Sequence, residues 1–185
     1  AIAPGSLVIL AADDGSPLGI ATFNGHSLIT ARLITRTVQQ PIDHDFLAER
    51  VAKALARRER FFDAPFYRLV HSEADELPGL IVDRFGEVAV CQCNTAGMAA
   101  LVEPIVAALD TVLAPGTVVL RNDSAARTLE GLTPEVRIAK GTLDGPVTIE
   151  ENGVTYLADV LGGQKTGWFY DQCPARALVA RLARG

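Results

Sequence analysis

An excess of basic residues, paired cysteines and long apolar runs are all missing from this sequence, and each absence removes a class of function. The 17 Lys and Arg are outnumbered by 22 Asp and Glu, for a net charge of -5. The chain as a whole therefore does not draw a polyanion to itself, which counts against nonspecific nucleic-acid binding. Cysteine occurs three times, at Cys91, Cys93 and Cys173, without C-x-x-C spacing. That excludes a zinc knuckle or disulfide framework and fits a reducing, cytoplasmic setting. No apolar stretch approaches the roughly 20 residues that cross a bilayer, and the opening AIAPGSLVIL has no basic region before its short apolar run. Neither secretion nor membrane insertion is expected. A nucleotide signature is missing as well. No strand leads through a G-x-G turn into a crossover helix, and Lys165-Thr166 lacks the upstream glycine spacing of a phosphate loop.

What is present suffices for a folded protein. Hydrophobic residues make up 49% of the 185 and charged residues 21%, enough apolar material to bury a core, and the length favours two small domains over one large one. Ser6 to Ala12, Leu18 to Phe23 and Leu28 to Ile34 read as three short strands, parted by Asp13-Asp14-Gly15 and Asn24-Gly25. A helix follows, because Phe46, Leu47, Val51, Ala54 and Leu55 recur at helical spacing, with Asp43 or Asp45 available as amino-terminal cap. Ala64 and Pro65 mark a domain boundary. Beyond them come a strand from Tyr67 to His71, a turn at Leu77-Pro78-Gly79 and a strand pair about Phe85-Gly86-Glu87. One helix is expected from Thr95 to Leu113, with Met98, Leu101, Ile105, Leu109 and Val112 as its buried stripe. Strands at Thr117 to Leu120 and Val136 to Ile138 flank a polar turn or helix, completing an α/β layer. Val147 to Glu150 and Val154 to Asp159 form a hairpin about Asn152-Gly153, and Pro174 opens a last helix.

Three runs carry the chemistry: RLVHSEADELPGLIVDRFG from Arg68 to Gly86, RNDSAARTLEGL from Arg121 to Leu132, and ENGVTYLADVLGGQKTGWFYDQ from Glu151 to Gln172. Together and in this order they resemble the bacterial large-subunit (23S) rRNA cytosine-5 methyltransferases that carry an amino-terminal PUA domain. The last run is the most specific. The resemblance implies an α+β organisation: a small PUA-like β-barrel over residues 1–63, a central α/β domain over 64–145, a β-hairpin and linker over 146–172, and over 173–185 the start of a Rossmann-like methyltransferase domain that is otherwise absent. It also implies that Phe169, Tyr170, Asp171, Gln172 and Arg176 lie against S-adenosylmethionine, most of whose site belongs to the missing domain. On this view no residue of the chain is catalytic and the chain alone transfers no methyl group. The sequence departs from the family pattern at Cys173 and Ala175, where Arg and Asn are usual, so a basic and an amide contact are missing.

RNA contact is assigned to the stretch from Arg32 to Arg60. Its Arg32, Arg36, Arg50, Lys53, Arg57, Arg58 and Arg60 stand against four acids, and such cations bind phosphate by displacing counterions. The bland alternative is solvated charge. Glu73, Asp75, Glu76 and Asp83 read as a solvated loop rather than a metal or acid-base site, with Arg68 and Arg84 as nearby partners. Phe61, Phe62, Phe66 and Tyr67 are expected in an interdomain core, and Cys91 and Cys93 as buried, inert thiols on one strand face. Trp168 and Phe169 are left open between packing residues and a cofactor wall. The rival functions are a non-catalytic RNA-binding or ribosome-associated module and a scaffold that forms a homodimer through the hairpin edges.

Overall fold

The computed structural model describes residues 1–183, so Arg184 and Gly185, the tail of the 173–185 segment, lie outside the described residues. Strand β1 (Leu7–Ala11) pairs antiparallel with β2 (Pro17–Phe23), and β2 with β3 (Ala31–Thr35). The expected barrel is not formed: among the described residues this sheet stays open at three strands. A barrel needs further tilted strands to close the sheet on itself, and after Thr35 the chain instead turns into helix α1 (His44–Arg58). Leu28 and Ile29, expected in the third strand, sit in the turn before it, with Leu28 fully exposed.

The cap of α1 is Asp43, whose carboxylate accepts from the Phe46 amide at 3.1 Å. Its apolar stripe of Phe46, Leu47, Val51 and Ala54 is buried. Beyond it lie β4 (Phe66–His71), a single 3-10 turn at Ser72–Asp75, β5 (Leu80–Phe85) and β6 (Val88–Cys93). The single helix expected from Thr95 is two, α2 (Ala96–Ala100) and α3 (Val102–Leu113), broken at Leu101. Pro104 explains the break. It has no amide hydrogen to give Ala100, and its ring would collide with that carbonyl in a continuous helix, whereas the first turn of a new helix accepts it. Strand β7 (Thr117–Asn122), helix α4 (Ala125–Leu129) and β8 (Glu135–Lys140) complete a five-stranded sheet of order β4-β5-β6-β7-β8. All its neighbours are antiparallel except β6 and β7, which are parallel because α2 and α3 carry the chain across. So a strand–helix–strand crossover does exist, although Asn94-Thr95 stands where a G-x-G turn would be. A hairpin of β9 (Val147–Glu151) and β10 (Val154–Ala158) turns on Asn152 (φ 53°) and Gly153 (φ 75°), as its sequence requires. A loop and a 3-10 turn at Tyr170–Gln172 then lead into α5 (Cys173–Leu182), with Pro174 in its first turn.

Period-two alternation gives the five-stranded sheet two different faces. One carries Leu69, Leu80, Val82, Ala89, Cys91, Val118 and Leu120 and packs on α1 and α3. Each such fully buried aliphatic residue contributes about 2 kcal/mol through removal from water. The other carries Phe85, Val90 and Val119, covered by Val147, Ile149 and Ala158 of the hairpin and Val160 just beyond it. Where that second face passes beyond the hairpin it turns polar, and the site begins there.

Candidate functional site

Arg68, Asp83, Gln92 and Arg121 interrupt otherwise apolar strands, each on the second face and each next to the loop that follows β10. Asp83 is completely buried, and both its oxygens are used: Arg68 donates through Nε and Nη2 at 2.9 and 3.0 Å, and the buried Thr166 hydroxyl donates to Oδ2 at 2.6 Å. Arg121 is buried too. Its Nη1 donates to the Val160 carbonyl at 3.0 Å, and its Nη2 donates to that of Gly163 at 2.7 Å and to Asp123 at 3.0 Å. Two strands thus tie the 159–172 loop to the sheet by charge-assisted bonds, the stronger kind of hydrogen bond. The loop's start is closed by Asp159, whose carboxylate accepts from the Leu161 and Gly162 amides at 3.0 and 2.7 Å, which holds it below the usual carboxylate range. Gly163 is required where it stands, because a Cβ there would lie 2.2 Å from the Asp159 carbonyl.

The end of the loop is fixed from the hairpin. Arg176 donates twice to Glu151 (2.5 and 2.7 Å) and once to the Phe169 carbonyl (2.8 Å), with its guanidinium 4.6 Å above the Trp168 ring. Trp168 donates to the same Glu151 at 3.1 Å and packs on Tyr156 with centroids 5.0 Å apart. The hydroxyl of Tyr170 turns inward to the Arg84 carbonyl at 2.7 Å, and burial pushes that phenol well above its ordinary range. Of the five residues assigned to a cofactor, Tyr170 and Arg176 are therefore committed to holding the segment. Phe169 is half-buried under the Lys165 ammonium at 4.7 Å, while Asp171 and Gln172 are exposed. Trp168 and Phe169, both left open between two roles, both line a pocket, and Trp168 also packs on Tyr156.

Hydrogen bonds from Arg176 hold the Glu151 carboxyl below its usual value. Because its folded value is depressed, the stabilisation is fully present above the ordinary Glu value of about 4.3 and is lost as pH falls through the lower folded value. Acid titration should therefore release α5 and unstack Trp168, the chain's single tryptophan, below about pH 4. Glu151→Gln should abolish the pH dependence of Trp168 fluorescence across that window, and an unchanged profile would show that the pair does not control docking.

The basic stretch is largely occupied. Arg57 and Arg58 both bind Asp75, Arg50 and Lys53 bind Glu76, and Arg32 reaches Glu73 and Glu130. Among the described residues, Arg36 and Arg60 are exposed and make no ion pair. The acidic turn is correspondingly not a solvated loop throughout. Asp75 and Asp83 are buried, since each gains two or more guanidinium or hydroxyl donors that replace water. Phe61 and Phe62 are exposed rather than in a core, while Tyr67 is buried. Burial pushes the Cys93 thiol up to about 12 and holds the Cys91 thiol well above its ordinary range, so both are inert at neutral pH.

The loop, β4, β6 and the segment after β7 enclose a pocket of about 470 Å³, within the size range of small-ligand sites. It opens at the carboxyl ends of β6 and β7, where parallel strands commonly present ligands. Arg68, Gln92, Asp123, Ser124, Lys165 and Phe169 line it. From sequence Gln92 and Arg121 were assigned no role, and Asp83 was read as solvated with Arg68 as a nearby partner; it is buried, and Arg68 does pair with it. Polar residues placed inside largely apolar strands, as in LIVDRF, VAVCQC and TVVLRN, were the available signal.

Comparison with known proteins places these features. Residues 1–36 match the model of a PUA-like domain. Two curated proteins named ribosomal RNA large subunit methyltransferase I align over nearly the whole chain. The one from Shewanella frigidimarina is 38% identical over 98% of this chain, and the one from Alteromonas mediterranea is 35% identical over 93%. The chain spans 47% and 44% of their lengths, about half of each. The fold is shared with a Streptococcus mutans protein described as a SAM-dependent methyltransferase, at a TM-score of 0.79 and 20% identity over 96% of this chain and 46% of that one. A methyltransferase structure in complex with SAH gives 0.78 and 19% over 95% and 45%. No helix among the described residues is long and apolar enough to cross a membrane. Along nearly all of its length the chain is thus similar to about half of each of these two ribosomal RNA large subunit methyltransferase I proteins.

Proposed function

We propose that this chain forms the RNA-docking and linker part of an S-adenosylmethionine-dependent methyltransferase whose target is a cytosine of 23S rRNA. The observation that carries this is identity of 35 to 38% over 93 to 98% of this chain to proteins of that rRNA methyltransferase name. Residues 1–63 would dock RNA, 64–145 and 146–172 would carry and aim the loop, and 173–185 would lead into the domain that holds most of the cofactor.

The residues present fit the edge of such a cofactor site. S-adenosylmethionine supplies a methyl group activated on a sulfonium. Phe169 offers an aromatic face, Asp171 and Gln172 offer exposed acceptors and a donor, and Tyr170 and Arg176 keep the backbone between them rigid. The thiol that would add to a pyrimidine is neither Cys91 nor Cys93, because neither forms a thiolate at neutral pH. For RNA docking, Arg36 and Arg60 have charge to spare. Reversing Arg57 and Arg58 would unpair Asp75, so it tests folding before it tests RNA binding.

The test is methyl transfer from labelled S-adenosylmethionine to large-subunit rRNA lacking the modification. The product of the complete gene should label a cytosine of 23S rRNA, and the 185-residue chain alone should label nothing. Labelling of another base, or none by the complete protein, would overturn the assignment.

A further inference from the structure

The segment RNDSAARTLE, from Arg121 to Glu130, reaches two separate parts of the molecule. At its start Arg121 holds the 159–172 loop through the Val160 and Gly163 carbonyls. At its end Glu130, just after α4, holds the three-stranded sheet. Glu130 is only 6% exposed, and its carboxylate accepts from three elements: the Asn24 side-chain amide after β2 at 2.7 Å, Arg32 of β3 at 3.4 Å and the Ala96 backbone amide opening α2 at 3.2 Å. Its own carbonyl takes a further bond from Asn24 at 3.0 Å. Asn24 is buried as well, and its side-chain oxygen accepts from the His26 amide at 3.0 Å, so both ends of that side chain are used. Between Arg121 and Glu130 the segment is pinned to the end of β6. Ser124 bonds Asn94 at 2.5 Å, and the buried Arg127 donates to the Cys93 and Thr133 carbonyls at 2.5 and 3.0 Å. The joint is also closely packed, since a Cβ on Gly97 of α2 would lie 2.3 Å from the Thr22 side chain of β2.

We propose that Glu130 is a positioning residue: it fixes the three-stranded sheet against the five-stranded one, so that RNA docked on the first is presented to the 159–172 loop at one distance and angle. The inference rests on the proposed action on RNA and adds to it how the docked strand is aimed. Arg36, one of the two exposed cations without an ion pair, directly follows β3 and so belongs to the sheet that Glu130 holds. A buried carboxylate shared by three donors satisfies all of them in one relative placement of the sheets only. Its loss leaves a buried amide, a backbone N–H and a guanidinium short of an acceptor. Placement governs turnover strongly, because an error of about 1 Å far from the chemistry costs on the order of a hundredfold in rate. A side chain that never touches the substrate can therefore set the rate while leaving RNA affinity to the cations.

Three variants of the complete gene product are compared with the wild type. Glu130→Ala removes the joint, Glu130→Gln keeps an oxygen for Asn24 and Ala96 without the charge for Arg32, and Gly97→Ala forces the sheets apart without touching the carboxylate. Filter retention gives the affinity for large-subunit rRNA lacking the modification, single-turnover transfer from labelled S-adenosylmethionine gives the rate, and amide exchange gives the state of the joint. Affinity should stay unchanged, while the rate falls about a hundredfold in Glu130→Ala and Gly97→Ala and less in Glu130→Gln. Exchange should rise at Ala96 and His26, whose amides bond to Glu130 and Asn24, while the strands of both sheets stay protected. Affinity and rate falling together, or loss of protection throughout β1, β2 and β3, would make Glu130 a folding residue and overturn the proposal. A wild-type rate with the Ala96 amide exposed would overturn it too, because the joint would then aim nothing. If the wild-type protein methylates no RNA, the assignment to RNA fails instead and exchange decides alone. An Ala96 amide as protected in Glu130→Ala as in the wild type then ends the lock, and one freed with both sheets intact upholds it.

Discussion

Replacing Asp83 with alanine should lower the unfolding free energy by about 3 kcal/mol, the cost of breaking a buried charged network by removing one partner. The carboxylate is entirely buried between Arg68 and Thr166. Its loss leaves the Thr166 hydroxyl buried with no acceptor and frees a guanidinium that is only partly able to return to water. Asp83→Asn keeps an oxygen for Thr166 and should cost about half as much, since the neutral bond to Arg68 is weaker than the charged one. Urea denaturation gives the first number. Amide exchange gives the mechanism, because protection should fall first in the 159–172 loop. A loss below about 0.5 kcal/mol, the range of ordinary surface changes, would show that the network holds nothing.

Arg121→Ala should cost a comparable amount, about 3 kcal/mol, by a different route. Here the lost group is the cation, and what it leaves behind are the Val160 and Gly163 carbonyls and a void where a buried side chain stood. The distinguishing result is spatial. Exchange in the loop and at Trp168 should rise, while α1 and α3, which pack on the opposite face of the sheet, keep their protection. Uniform loss of protection over both faces would mean that Arg121 supports the whole sheet rather than the loop.

Most of the elements were legible in the sequence because their signals are local. The α1 stripe, the Asp43 cap, the Asn152-Gly153 hairpin and the Pro174 start are decided within a few residues of themselves. The split at Leu101 was legible too, in Pro104, but a continuous apolar stripe across the break hid it. Sheet closure was not local. The same three strands would serve a barrel or an open sheet, and only the departure of the chain into α1 after Thr35 decides between them. The basic stretch failed as a guide to free charge for the same reason, since its acidic partners at Glu73, Asp75, Glu76 and Glu130 lie 17 or more residues away.

The amino-acid sequence alone determined the element types, the family resemblance and the loop that carries it, because propensity, turn chemistry and short motifs act between near neighbours along the chain. Tertiary structure alone decided which arginines are spent and which are free, and that the strands LIVDRF, VAVCQC and TVVLRN bring Asp83, Gln92 and Arg121 beneath one loop. The physical reason is that hydrogen-bond satisfaction of a buried group is a property of what surrounds it in space, and strands far apart in sequence supply those surroundings.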